Sequence, residues 1–190
     1  IRDCLLSRGL GDVYKRQTSN RVNKELDLNF YIMNSHHTVA IGTWEGDKQQ
    51  SIEYNSSIAV GIDCPRAKLR VSILLDTIQE YQVRYIFSDE EISEAVNEAG
   101  LIIGARGIAY EGVLQRKPVI VVGEYGFGGL VTPDTLHEQY NNYFRGKING
   151  IKAEYFSLER LEEEIRRGFA LTFQELQMMS NQTIRFLHNI

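Results

Sequence analysis

Residues 101–123 read LIIGARGIAYEGVLQRKPVIVVG. Two short apolar runs, Leu101–Gly104 and Pro118–Gly123, bracket a stretch that starts at Gly107 and carries helix-forming residues to about Arg116. The second run is apolar at consecutive positions and has no polar face. A strand of that kind is buried on both sides, as at the centre of a parallel sheet. A strand, a helix of about ten residues and a second strand form a crossover unit, which parallel strands require. The stretch therefore predicts an α/β domain.

The pattern continues in both directions. Upstream, Val83–Phe87 is β-rich and predicts a strand. Ser88-Asp89-Glu90-Glu91 has the spacing of a capping box, and the helix behind it should bury Ile92, Ala95 and Val96 and end on Gly100 as a left-handed cap. Before that, Asp63 and Pro65 predict a helix start, with Leu69, Ile73, Leu74, Ile78 and Tyr81 at helical spacing. Downstream, Gly123–Gly129 holds four glycines in seven residues and reads as a permissive loop. Thr132-Pro133 predicts the next helix start, and Ser157 another, whose Glu163 and Arg167 are spaced for an i, i+4 pair. Thr172–Ile190 predicts a final amphipathic helix. The order from Val83 is β-α-β-α-β-α. The expected fold is a Rossmann-like parallel sheet with helices on both faces. Gly42–Asn55 reads as a connector, the domain is drawn from residue 61 to 190, and Asn29–Met33 reads as a short strand before a turn at Asn34–Thr38.

Composition narrows the function. Hydrophobic residues make up 43% and charged residues 24%, which places the chain among globular proteins. Net charge is −4, so no broad basic surface exists to hold nucleic acid as the main partner. The apolar runs span a handful of residues, well short of the roughly 20 that cross a bilayer. Cys4 and Cys64 are too few for a disulfide scaffold, and a reducing cytoplasm is the expected compartment.

Residues 1–17 resemble a translated sequencing adapter, and no clean period runs through Leu5, Leu6, Leu10, Val13 and Tyr14. They are expected to lie outside the fold. On that expectation residues 18–60 are the remnant of a preceding domain and a connector, and the chain is a fragment.

The chemistry is expected at the carboxyl ends of the strands, where open parallel sheets bind ligands. Gly104-Ala105-Arg106-Gly107 lies between a strand and a helix. Its glycines let backbone amides approach a ligand, the helix start favours an anion, and Arg106 could grip phosphate oxygens in a bidentate fashion. The same glycines also suit a plain tight turn. Neither this loop nor Gly123–Gly129 has the P-loop or dinucleotide spacing. Glu111 falls one helical turn after Gly107. Its carboxylate could hold a ribose diol, while composition alone makes it an exposed helix glutamate. His36 and His37, adjacent in sequence, point to different sides and make no metal pair. His137 reads as a helix residue, Cys64 as structural, Tyr140, Tyr143 and Phe144 as core, and Trp44 as either.

Residues 99–146 resemble the donor-binding domain of bacterial glycosyltransferases with two Rossmann-like domains, the family-4 type and its relatives. The features that match are Leu101–Gly104, the Gly-x-x-Gly loop, Tyr110-Glu111-Gly112, Lys117–Val121 and Gly128-Gly129-Leu130-Val131-Thr132-Pro133. The resemblance implies the C-terminal half of the fold called GT-B and a donor-binding set of Gly104, Arg106, Gly107, Tyr110, Glu111, Gly126, Gly128, Gly129 and Thr132. Glu111 would contact the donor ribose, and the glycine loops would face the diphosphate and sugar. The implied activity is transfer of a sugar from a nucleotide diphosphate sugar to a glycan or lipid acceptor, as in polysaccharide biosynthesis, with no separate cofactor and no metal. This fragment would be inactive by itself. Peripheral membrane association of the full-length protein is compatible with such an acceptor. Retaining members carry a second glutamate eight positions earlier; that position is Ile103, so the resemblance leaves the stereochemical outcome and the catalytic residues open. A nucleotide-sugar 2-epimerase-like enzyme and a stand-alone nucleotide-binding module are the alternatives.

Overall fold

A computed structural model describes residues 56–147, 150–152 and 155–188. The expectations for residues 1–17, Asn29–Met33, Asn34–Thr38 (with His36 and His37) and Trp44 lie outside them.

The domain is α/β, built on a five-stranded sheet. The strands are β1 (Ser57–Gly61), β2 (Gln82–Tyr85), β3 (Leu101–Gly104), β4 (Val119–Gly123) and β5 (Gly126–Leu130). Their order across the sheet is β2-β1-β3-β4-β5. The first four are parallel, and β5 runs antiparallel to β4, with a register irregularity between Val121 and Val122. The helices are α1 (Pro65–Ile78), α2 (Ile92–Glu98), α3 (Gly107–Leu114), α4 (Leu136–Asn141), α5 (Leu158–Phe169) and α6 (Phe173–His188).

β3 is the middle strand, and all four of its residues are buried. Successive side chains on a strand point to opposite faces. A Cβ on Gly112 of α3 would meet Ile102, and one on Gly168 of α5 would meet Leu101. So α3 and α5 cover opposite faces of β3. α2 and α6 pack on α3, and α1 packs on α5, which gives the two helical layers. Both glycines remove the side chain at the point of closest helix–sheet approach.

Two strands depart from the sequence reading. β1 falls where the connector was drawn to end, and the boundary at residue 61 cuts through it. β1 belongs to the same compact unit as the rest of the sheet. Ile58, Ala59 and Val60 are each at most 1% exposed, so β1 is a core strand flanked by β2 and β3. β5 replaces the expected glycine loop. The chain turns at Glu124-Tyr125 and returns as a strand, because Gly126 takes φ 110° and Gly129 φ 77°, values that side chains disfavour.

Local features shift for identifiable reasons. Helix α1 buries Ala67, Val71, Leu74 and Leu75, while Leu69 and Ile73 are exposed. The true stripe uses the small Ala67 for close approach, and only Leu74 belongs to both readings. Gly100 is not a left-handed cap: Ala99 is already extended, and Gly100 N–H donates to Ser57 O at 2.9 Å as β3 begins. Ser88 caps nothing with its side chain; Glu91 accepts instead from Phe87 N–H at 3.3 Å, beside a short 3-10 turn at Asp89–Glu91. Thr132-Pro133 sits in a turn closed by Thr135 N–H to Thr132 O, and α4 starts only at Leu136. Ser157 does cap α5, accepting from Arg160 N–H at 3.2 Å. Arg167 pairs with Glu164 rather than Glu163.

Candidate functional site at the carboxyl ends of β1 and β3

From β1 the chain moves outward to β2, and then crosses back to β3 and on to β4. The direction of winding reverses between β1 and β3. In open α/β sheets the crevice beyond the strand ends at such a reversal is where ligands bind.

Glycine ends both strands there. Gly61 pairs with Gly104, and a Cβ on Gly104 would stand 2.5 Å from the Gly61 carbonyl oxygen and 2.6 Å from Ile108. Ala105 N–H donates to the same carbonyl at 3.2 Å. The two strand ends thus close on each other backbone to backbone, with the Ile108 side chain packed over both glycines. Arg106 follows as the residue before the first turn of α3, with φ 55° and ψ −125°. That conformation costs a non-glycine residue of order 1–3 kcal/mol. Its N–H donates to Phe144 O at 3.1 Å and its carbonyl accepts from Tyr110 N–H, which hold it there. Tyr143 and Phe144 also have positive φ, so three of the five such non-glycine residues among the described ones come together here, Gln79 and Arg116 lying at helix ends elsewhere.

The Arg106 guanidinium spans the reversal. Nε lies 3.6 Å from Asp63 Oδ2, beyond β1, and Nη2 donates to Glu124 Oε2 at 2.9 Å, beyond β4. Arg145 approaches Glu124 from the other side, with Nε 3.3 Å from Oε1. Asp63, Glu124 and Arg145 were given no site role from sequence, since they lie on three separate segments that only the fold brings together. For Glu124, its place just past the apolar run Pro118–Gly123 was the one available signal.

Glu111 is 5% exposed, so it is not a solvated helix residue. Its Oε1 accepts from Gln115 Nε2 at 2.6 Å. Gly107 begins α3 next to Arg106. Tyr110 is turned into an aromatic cluster, edge-on to Phe144 at 4.7 Å and to Tyr140 at 5.7 Å, and burial pushes its phenol well above the usual tyrosine range. Tyr140 is raised by the same cause, and Phe144 is fully buried, which agrees with a core reading for both. His137 sits on α4 against Phe186 and beside Asn141, and Cys64 precedes α1.

The second glycine set has a different surrounding. Gly126 abuts the Ile151 carbonyl, and Gly123 and Gly146 likewise meet main chain, because Arg145-Gly146 and Ile151-Lys152 lie against the β4–β5 turn. Tyr125 N–H donates to Arg145 O and Phe127 N–H to Ile151 O. Gly128 lies under Gln139, whose Nε2 donates to its carbonyl at 2.9 Å. Gly129 is level with Gly104 across the sheet, through Val121, but faces Glu164. Thr132 stands past Leu130 at the opposite, amino-terminal end of β4, hydrogen-bonded to Thr135. The structure thus gathers Gly104, Arg106 and Gly107 at the crevice, with Glu111 on the same helix. It covers Gly126, Gly128 and Gly129 with protein and carries Thr132 away.

Among the described residues no group of histidines, cysteines and carboxylates could hold a metal ion, and no helix is long and apolar enough to cross a membrane. Fold and crevice together define a Rossmann-like α/β domain. Neither the models of known protein families nor the curated proteins contain a match to the chain.

Proposed function

We propose that this domain binds the diphosphate of a nucleotide sugar and serves as the donor half of a glycosyltransferase with two Rossmann-like domains. In the full protein the sugar would pass to a glycan or lipid acceptor on the cytoplasmic side. The observation that carries the reading is Arg106: a guanidinium at the start of α3, beside the glycine ends of β1 and β3, spanning the winding reversal between those strands. A helix start beside a cation suits phosphate. Glu111, one turn along the same helix, is the ribose candidate that the resemblance implies; in the ligand-free chain its carboxylate accepts from Gln115 Nε2 at 2.6 Å. Ile103, where retaining members of the family the chain resembles carry their first glutamate, lies inside β3 and is fully buried, so no acid is assigned to the reacting sugar.

Calorimetric titration with UDP, GDP and the parent nucleosides tests the reading. Glu111→Ala should lower nucleotide affinity about ten- to a hundredfold, the loss of hydrogen bonds to a charged acceptor. Glu111→Gln, which keeps size and one acceptor, should cost less. Arg106→Ala should weaken the diphosphates and spare the nucleosides. Unchanged nucleotide affinity in Glu111→Ala, with the fold intact, would sink it.

A further inference from the structure

We infer that Glu124 is an internal stand-in for phosphate, occupying an anion site formed jointly by Arg106 and Arg145, and that a bound diphosphate displaces it. The inference deepens the proposed function and rests on its placement of the diphosphate at Arg106.

The geometry is that of a small oxyanion held between two cations. Each carboxylate oxygen of Glu124 faces a different guanidinium, Oε2 toward Arg106 and Oε1 toward Arg145. Carboxylate and phosphate present the same kind of oxygen edge to an arginine fork. The Arg145 contact is unfinished: Nε is within ion-pairing distance, yet it is buried and makes no hydrogen bond among the described residues. A phosphate group, with a third oxygen and more charge, could take up that N–H.

Magnitudes favour exchange. Glu124 is about 40% exposed, and ion pairs at such sites are individually weak. The turn that carries Glu124 lies at the tip of the β4–β5 hairpin, where the side chain can swing into water without disturbing the sheet. Arg145 is held better than the carboxylate it faces: its side chain is 20% exposed and lies against the Tyr125 and Tyr143 rings. Arg106 is as open as Glu124 but is attached to a main chain hydrogen-bonded on both sides. The carboxylate is the group that leaves. Asp63, 77% exposed, touches Arg106 only from its far side.

The test is titration of the full chain with inorganic pyrophosphate, with uridine as a second arm. Glu124→Gln removes the competing charge and should tighten pyrophosphate binding about threefold to tenfold, the size expected for releasing two partly exposed pairs. Arg145→Gln should weaken pyrophosphate binding and, combined with Glu124→Gln, abolish the gain. Uridine affinity should not change in any of these. If Glu124→Gln binds pyrophosphate no better than the parent, with an unchanged thermal melt, Glu124 is a strut for the two arginines and the inference fails. Failure also follows if the gain survives loss of the Arg145 charge. Should Glu124→Gln fail to fold, Arg145→Gln decides alone, and unchanged pyrophosphate binding there overturns the joint site. Uridine that binds nowhere, beside the expected pyrophosphate pattern, would remove the nucleotide reading and leave the anion site standing.

Discussion

Gly104 and Gly61 meet backbone to backbone at the carboxyl ends of β3 and β1, so closely that a Cβ on Gly104 would lie 2.5 Å from the Gly61 carbonyl oxygen. That approach brings the start of α3 over β1. The glycine is therefore required by the sheet itself. Gly104→Ala should cost about 1–3 kcal/mol as the two strand ends part. A urea unfolding curve measures the loss, and a midpoint equal to the parent's would show that the strand ends can separate freely.

Glu164 provides a second test of the architecture. It is 1% exposed, and its carboxylate accepts from Leu130 N–H at 3.2 Å on the edge strand β5. Arg160 lies 2.5 Å from Oε1 and Arg167 3.2 Å from Oε2. Both arginines are about half exposed, so the loss should fall below that of a fully buried pair. Glu164→Ala should destabilise by about 2–3 kcal/mol, chiefly by leaving the strand amide unsatisfied. Glu164→Gln, which keeps one acceptor, should lose less in the same urea experiment.

Gly126 separates the two meanings of the glycine-rich stretch. Its φ is 110° and a Cβ would collide with the Ile151 carbonyl. Gly126→Ala should lower the melting temperature of the ligand-free protein, by an amount equivalent to about 1–3 kcal/mol. A ligand-binding glycine would instead leave the free protein's melt alone and change only its response to nucleotide.

The tyrosine cluster predicts alkaline sensitivity. Tyr110 and Tyr140 both have phenols raised above the ordinary value of 10.0, mainly by burial, and Tyr81 and Tyr85 follow in the same direction. A raised phenol is protonated in the folded chain where the unfolded chain has begun to ionise. Its contribution is complete below about pH 10 and declines as pH rises from there toward the folded value. Unfolding free energy should therefore fall above about pH 10. Tyr110→Phe keeps the ring against Phe144 and should make that fall shallower. Phenolate absorbance followed with pH checks it: Tyr110 should ionise only together with unfolding.

Much of the sheet was legible because buried parallel strands are short, continuous and apolar. Leu101–Gly104 and the Val119–Gly123 core of Pro118–Gly123 stand out for that reason, and Ser157 announced its helix through a cap whose chemistry is local. β1 and β5 were not legible for opposite reasons. Ile58, Ala59 and Val60 form too short a run to separate from a connector until β2 and β3 are seen on either side. β5 is made largely of glycine, whose sequence signal is a loop; it is a strand only because β4 offers hydrogen bonds and Gln139 and Glu164 close over it.

The candidate site divides in the same way. Sequence alone determined that a glycine–arginine loop at a strand end leads into a helix carrying Glu111, since those residues are neighbours in the chain. Only the tertiary structure decided that Glu111 is buried and that Gly61 stands beside Gly104. It also brought Asp63, Glu124 and Arg145 around Arg106 and sent Thr132 to the other end of the sheet. Strand order and direction set those distances. Such pairings depend on how separate segments pack, which residue spacing along the chain does not encode.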